Sequence, residues 1–134
     1  MKNSAPYGVL VLRVALGLLF LAHVWLKIFV FSVPGFAGFM ATLGVPAIGA
    51  YLVIAAELLG GFALILGIYA PLVALVLAVE MLGTIVLVHG RNGWLFTNPN
   101  GGWEYPALWA IALLAVYLLG DGAMALRPAG RRIS

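Results

Sequence analysis

Tyr7-Gly-Val-Leu-Val-Leu-Arg13-Val-Ala-Leu-Gly-Leu-Leu-Phe-Leu-Ala-His23-Val-Trp-Leu-Lys27-Ile-Phe-Val-Phe31 is the stretch whose reading decides the fold. It is apolar almost throughout and holds no proline. Roughly 25 residues at 1.5 Å each make a helix about 37 Å long, enough to cross a ~30 Å hydrocarbon layer with tilt. Arg13, His23 and Lys27 interrupt it. A charge near the middle of a span costs about 2.5–3.5 kcal/mol on insertion scales, which many aliphatic residues at a few tenths each offset. The helix inserts, and its polar groups require partners.

Composition extends this reading to the whole chain. Of 134 residues, 65% are hydrophobic and only 8% charged, against about 25% charged in a soluble domain. Four spans use most of the length: about 7–31, 46–69, 71–89 and 104–119. The expectation is one domain over residues 1–134, an all-α integral membrane four-helix bundle running up-down-up-down. The net charge of +3 is no nucleic-acid signature, since the basic residues gather near the chain ends. With no cysteine, the chain has no thiol nucleophile, disulfide exchange or cysteine-ligated cluster of its own. Lys2 followed by an apolar run resembles a signal peptide, but the run is too long, contains Arg13 and lacks a small-x-small site, so it reads as a retained span.

The connections follow from turn chemistry. Ser32–Val45 holds Pro34, Gly35, Gly38 and Gly44, while Phe36, Phe39, Met40 and Leu43 recur at helical spacing. Either a short helix lies in the membrane interface here, or a loop packs over the bundle mouth. Ala70-Pro71 turns the second span directly into the third. Small residues at Ala56, Gly60, Ala63 and Gly67 draw a stripe that lets helix backbones approach closely. Gly90–Trp103 is a polar loop whose Trp94, Phe96 and Trp103 suit an interfacial belt. Arg127–Ser134 reads as a mobile basic tail. Four spans bring both termini to one side, with Lys2, Arg127, Arg131 and Arg132; Arg91 and Lys27 fall on the other. The positive-inside rule then puts both termini in the cytoplasm.

Counting depth along each helix sets Arg13 about 10 Å, Glu80 about 13 Å and Glu57 about 18 Å from the cytoplasmic side. These three are expected to share a buried cluster, as a structural ion pair or a proton-handling site. Nearer the outer side, His23 and Lys27 share a helix face, with His89, Glu104 and Asn98 at similar height. His23, His89 and Glu104 are candidates for proton transfer. Arg13, His23, Lys27, Glu57, Glu80, His89, Asn98, Trp103 and Glu104 are the candidate ligand-binding set. Two histidines alone, or with Glu104, have no tight spacing that marks haem or metal ligation.

Several stretches, taken in order, resemble the DoxX family of small bacterial membrane proteins. They are Leu12–His23 with Lys27 after it, Pro34-Gly35-Phe36 through Leu43-Gly44, Ala56-Glu57-Leu58-Leu59-Gly60-Gly61, and Asn98-Pro99-Asn100-Gly101-Gly102-Trp103-Glu104-Tyr105-Pro106. The family's usual glycine after the first-span histidine is Val24 here. The resemblance implies a four-helix bundle in the bacterial inner membrane. It also implies a link to quinone, to small sulfur-containing substrates such as thiosulfate, or to membrane redox and detoxification complexes. An oxidoreductase subunit built from this chain needs a redox partner protein or a bound quinone to carry electrons. The alternatives are a non-catalytic scaffold or receptor docking a partner through its outer loops, and a small-solute or proton-coupled transporter completed by homo-oligomerisation.

Overall fold

The computed structural model describes residues 3–130, and every regular element among them is helical. Helix α1 spans Ala5–Trp25 and continues through a π-helical turn at Leu26–Val30. Pro6 sits in its first turn, where the missing N–H costs nothing. The Ser32–Val45 connection does contain a helix, α2, Val33–Thr42. Ser32 caps it in a positive-φ conformation, its Oγ accepting the Gly35 N–H at 3.1 Å. Helix α3 covers Ala47–Leu66 and ends on left-handed Gly67, whose N–H returns to Ala63 O. Helix α4 covers Ala70–Thr84, passes through a second π turn at Ile85–His89, and ends in a 3₁₀ turn at Gly90–Asn92. Helix α5 covers Glu104–Leu119.

Three helical runs are long and apolar enough to cross a membrane: Ala5–Val30, Ala47–Leu66 and Ala70–Asn92. Their outward side chains, among them Leu18, Phe29, Leu59, Val76 and Val86, are left exposed on the surface, as lipid-facing residues are. The expected fourth span is shorter: α5 has 16 residues, about 24 Å of helix. Gly120 ends it in a positive-φ conformation that stops the backbone ladder.

Packing follows the chain order. Helix α1 lies against α3 and α5, and α4 lies against α3 and α5. Leu16 and Phe20 of α1 meet Leu64 of α3, Leu77 and Met81 of α4, and Trp109 and Leu113 of α5 in one core. Helix α2 packs on α3 through a second cluster of Phe36, Met40 and Ala50. Glycines let α1 and α3 come close together: a Cβ on Gly17 would fall 2.6 Å from Gly61 O. The small-residue stripe lies elsewhere. Its Gly60 packs under Leu77 of α4, and Ala56, Gly60 and Ala63 line an apolar groove with Leu72, Val73 and Val76.

The C-terminal segment corrects the mobile-tail expectation where it is described. Leu126 and Arg127 donate to Leu66 O and Gly67 O, and Tyr69 donates to Arg127 O, so the strand-like segment fastens the α3–α4 turn. Ala123 donates to Pro6 O, which brings the start of α1 and this segment to the same end of the molecule. Lys2, Arg131 and Arg132, on which the orientation partly depends, lie outside the described residues.

Candidate functional site

At the end of α1 away from Pro6, the π turn adds a residue to the helix and places Lys27 between α2 and α3. Its Nζ bonds Glu57 Oε2 at 2.6 Å, with the two side chains only 14% and 6% exposed. Glu80, on the neighbouring face of α4, brings its carboxyl against that of Glu57 and within electrostatic reach of Lys27. Lys27 also lies 5.4 Å from the Phe36 ring centroid, which ties α2 over the pair. One ammonium and two carboxyl groups are thus gathered from α1, α3 and α4.

Around them opens a cavity of about 1100 Å³. His23, Lys27, Glu57, Glu80, His89, Tyr105 and Trp109 contribute to its wall, and Phe31, Phe36, Phe39, Met40, Leu43, Leu52 and Val53 give its apolar side. Arg91, Asn92 and Asn100 also border it. An apolar enclosure with a few convergent polar groups is the usual form of a small-molecule site. Both π turns border this cavity, at Lys27 and at His89. Such turns recur at functional sites because they widen a helix locally and redirect its side chains.

Each histidine has a fixed setting. His23 Nδ1 lies 2.9 Å from Leu19 O one turn back, and its ring meets Trp109 edge-on at 4.7 Å. Trp109 in turn tilts against Phe20 at 4.6 Å. His89 Nδ1 lies 3.0 Å from Gly101 O, and Tyr105 Oη lies 2.9 Å from His89 Nε2. The Gly101 carbonyl is held by the loop, because Asn92 Nδ2 also donates to it at 2.9 Å. Gly102 allows the loop to close: a Cβ there would run into the carbonyl oxygens of Gly93, Trp94 and Leu95.

The expected Arg13–Glu57–Glu80 cluster does not form. Arg13 is fully buried, but it donates to Asp121 O and Ala123 O, both at 3.0 Å, and packs over Gly67 at the end of α3. Glu57 lies ten residues back from Gly67, about 15 Å along the helix. Lys27, fourteen residues beyond Arg13, takes the partner assigned to the arginine. His23, Lys27 and His89 do share one cavity with Glu57 and Glu80. Asn98, Trp103 and Glu104 stand outside its wall. Asn98 Nδ2 donates to Asn92 O, Trp103 packs edge-on against Trp94 at 4.4 Å, and Glu104 begins α5. Tyr105 and Trp109 were not among the expected site residues. Their i, i+4 spacing on α5 was the available signal, since it sets two polar-tipped rings on one face. Among the described residues no three of His, Asp and Glu gather as a metal-binding group.

The family model for DoxX matches residues 8–90. That match runs from Gly8, inside α1, through the second π turn, and takes in His23, Lys27, Glu57, Glu80 and His89. The Asn98–Pro106 stretch, Tyr105 and Trp109 lie beyond it. No curated protein and no solved structure matches the chain. With three membrane-length apolar helices and a family match over more than half of its length, the chain is a membrane protein of the DoxX family.

Proposed function

We propose that this protein binds a quinone-class carrier between its helices and serves as the membrane subunit of a redox complex. The observation that carries this reading is the cavity at Lys27. Its aromatic and aliphatic wall suits a greasy ring and tail, and its polar groups come from four separate helices. A quinone head needs hydrogen-bonding groups inside an otherwise apolar enclosure, and such groups are worth most where water is excluded. Lys27, Glu57 and Glu80 hold the helices around the head, while His23 and the His89–Tyr105 pair supply groups able to exchange protons. The chain has no cysteine and hence no thiolate-held cluster of its own, so electrons pass between the carrier and a partner protein. In this reading α5 is a fourth, short crossing that thins the bilayer locally. Both chain ends face the cytoplasm of the bacterial inner membrane.

Protein purified in mild detergent should release a quinone on organic extraction, detected by mass spectrometry. It should also rebind a short-chain benzoquinone with quenching of tryptophan fluorescence through Trp109. His23→Ala should weaken that rebinding severalfold. A monodisperse protein that carries no quinone and shows no quenching overturns the reading.

A second reading, a scaffold that docks a partner protein, is favoured by one feature. The 93–103 loop is closed by its own backbone hydrogen bonds, yet it leaves Trp94, Leu95 and Phe96 more than half exposed. If the loop is the functional surface, Phe96→Ser abolishes co-purification of the partner and leaves quinone rebinding intact.

A further inference from the structure

Helices α1, α3, α4 and α5 pack as a ring in which α3 and α4 form one side. That side is tight near its turn. Gly60 packs under Leu77, and the Glu57 carboxyl meets that of Glu80. The antiparallel count set by those two contacts next puts Val53 opposite Thr84, then Gly49 opposite Val88. All four line the cavity. Beyond the carboxyl pair, then, the cavity fills the space between the two helices. Two observations mark this gap as open. Gly83 lies on the cavity wall, and a Cβ added there would meet nothing within 4 Å among the described residues. Leu52 and Leu87 belong to the wall and are also 62% and 39% exposed, on helical runs long and apolar enough to face lipid.

The cavity has two unlike rims. From the carboxyl pair outward the gap is apolar, with Gly49, Leu52 and Val53 on one side and Gly83, Leu87 and Val88 on the other. Thr84 turns its hydroxyl back onto Glu80 O, one helical turn earlier, at 3.2 Å. The second rim is polar: Arg91, Asn92 and Asn100 border the cavity there, and Arg91 and Asn100 are exposed.

We propose that the apolar rim is a lateral portal: the tail of the carrier lies in the α3–α4 gap and runs out into the bilayer, with its head beside His23, Lys27 and Trp109. The proposal rests on the quinone-site reading above. A methylene drawn past Arg91 and the asparagines would stay in water or beside a charge. In the gap it passes from acyl chains onto leucine and valine with no change of medium. A chain also needs width along its path, which Gly49 and Gly83 supply by having no side chain. The site therefore sorts carriers by their tails. A bare ring can reach the head site by either rim, whereas a tailed ring fits only with its chain between α3 and α4.

The test compares a tail-less benzoquinone with the same ring carrying a decyl chain, by tryptophan quenching on the full chain in mild detergent. Gly83→Phe fills the open space in the gap and adds no tryptophan. It should weaken binding of the decyl quinone about tenfold, the equivalent of roughly two buried methylenes, and leave the tail-less ring within about twofold of the unaltered protein. Gly8→Phe, equally unobstructed but near the start of α1, should change neither. Equal effects on both quinones, or none on either, in a monodisperse Gly83→Phe protein overturn the portal and leave the quinone site standing. A phospholipid that co-purifies with the unaltered protein and is lost from Gly83→Phe, while both quinones bind alike, gives the gap to a lipid chain and overturns the portal as well. If the unaltered protein binds neither quinone, the quinone-site reading itself falls and the portal with it.

Discussion

Helix α1 buries a cation toward each of its ends, and the two are held in different ways. Arg13 is enclosed at 0% exposure and bonded to two backbone carbonyls of the C-terminal segment. Lys27 meets carboxyl side chains from two other helices beside a large cavity. The backbone carbonyls at Arg13 belong to a segment that also fastens the start of α1 and the α3–α4 turn. That end is a clasp, closed by the fold's own groups. The Lys27 end differs in bordering a large cavity. A buried ionic group surrounded by nothing but protein is structural; one that borders a cavity can recognise a ligand.

The contrast can be broken or sharpened by substitution. Arg13→Met should have the largest effect. It strips the donors from two buried carbonyls and frees the C-terminal segment, for a loss of about 4–6 kcal/mol at about 1–3 kcal/mol for each orphaned acceptor plus lost packing. The expected outcome is a collapse of the thermal unfolding temperature in detergent, with protease cleavage near Ala123. A stable Arg13→Met protein would mean that the clasp is dispensable.

Lys27→Met should come next, at about 3–5 kcal/mol, because it strands Glu57 beside Glu80 in an apolar setting. The double variant Lys27→Met/Glu57→Leu should recover most of that loss while abolishing carrier binding. A double variant as unstable as the single would show that the pair is not acting as a pair.

Gly17→Val should be milder, at about 1–3 kcal/mol, since it forces α1 away from Gly61 by overpacking. Its effect on binding should be smaller than its effect on stability, because Gly17 faces α3 more than a turn below His23. The smallest change in stability, about 1 kcal/mol or less, belongs to Tyr105→Phe, which removes one partly exposed hydrogen bond. A large loss of unfolding temperature there would make the His89–Tyr105 pair a structural tie like Arg13.

Periodicity and length were enough to define the apolar helices. Spans were expected at about 46–69 and 104–119, and helices occupy Ala47–Leu66 and Glu104–Leu119. The pattern of Phe36, Phe39, Met40 and Leu43 was also enough to raise a helix in the first connection. The π turns left no mark in the pattern, because a single inserted residue changes the local hydrogen bonding without breaking an apolar run. The 120–129 segment was illegible for a related reason: its order comes from backbone pairing with the distant Leu66–Tyr69 turn and from Arg13.

By itself the sequence determined that the chain is helical and membrane-embedded, and that Arg13, His23 and Lys27 needed shelter from lipid. Only the tertiary structure decided their partners. Helical periodicity fixes the face a side chain takes and its height on its own helix, but says nothing of how far one helix slides along the next. That offset is set by the Gly17–Gly61 contact, the turn at Gly67 and the clasp on Arg13. One helical turn, about 5.4 Å, is a large step on the scale of an ion pair, and Arg13 and Lys27 stand fourteen residues, about four turns, apart on one helix, so an error of that size exchanges one cation for the other. Here Arg13 stands level with the end of α3, and Lys27 meets Glu57.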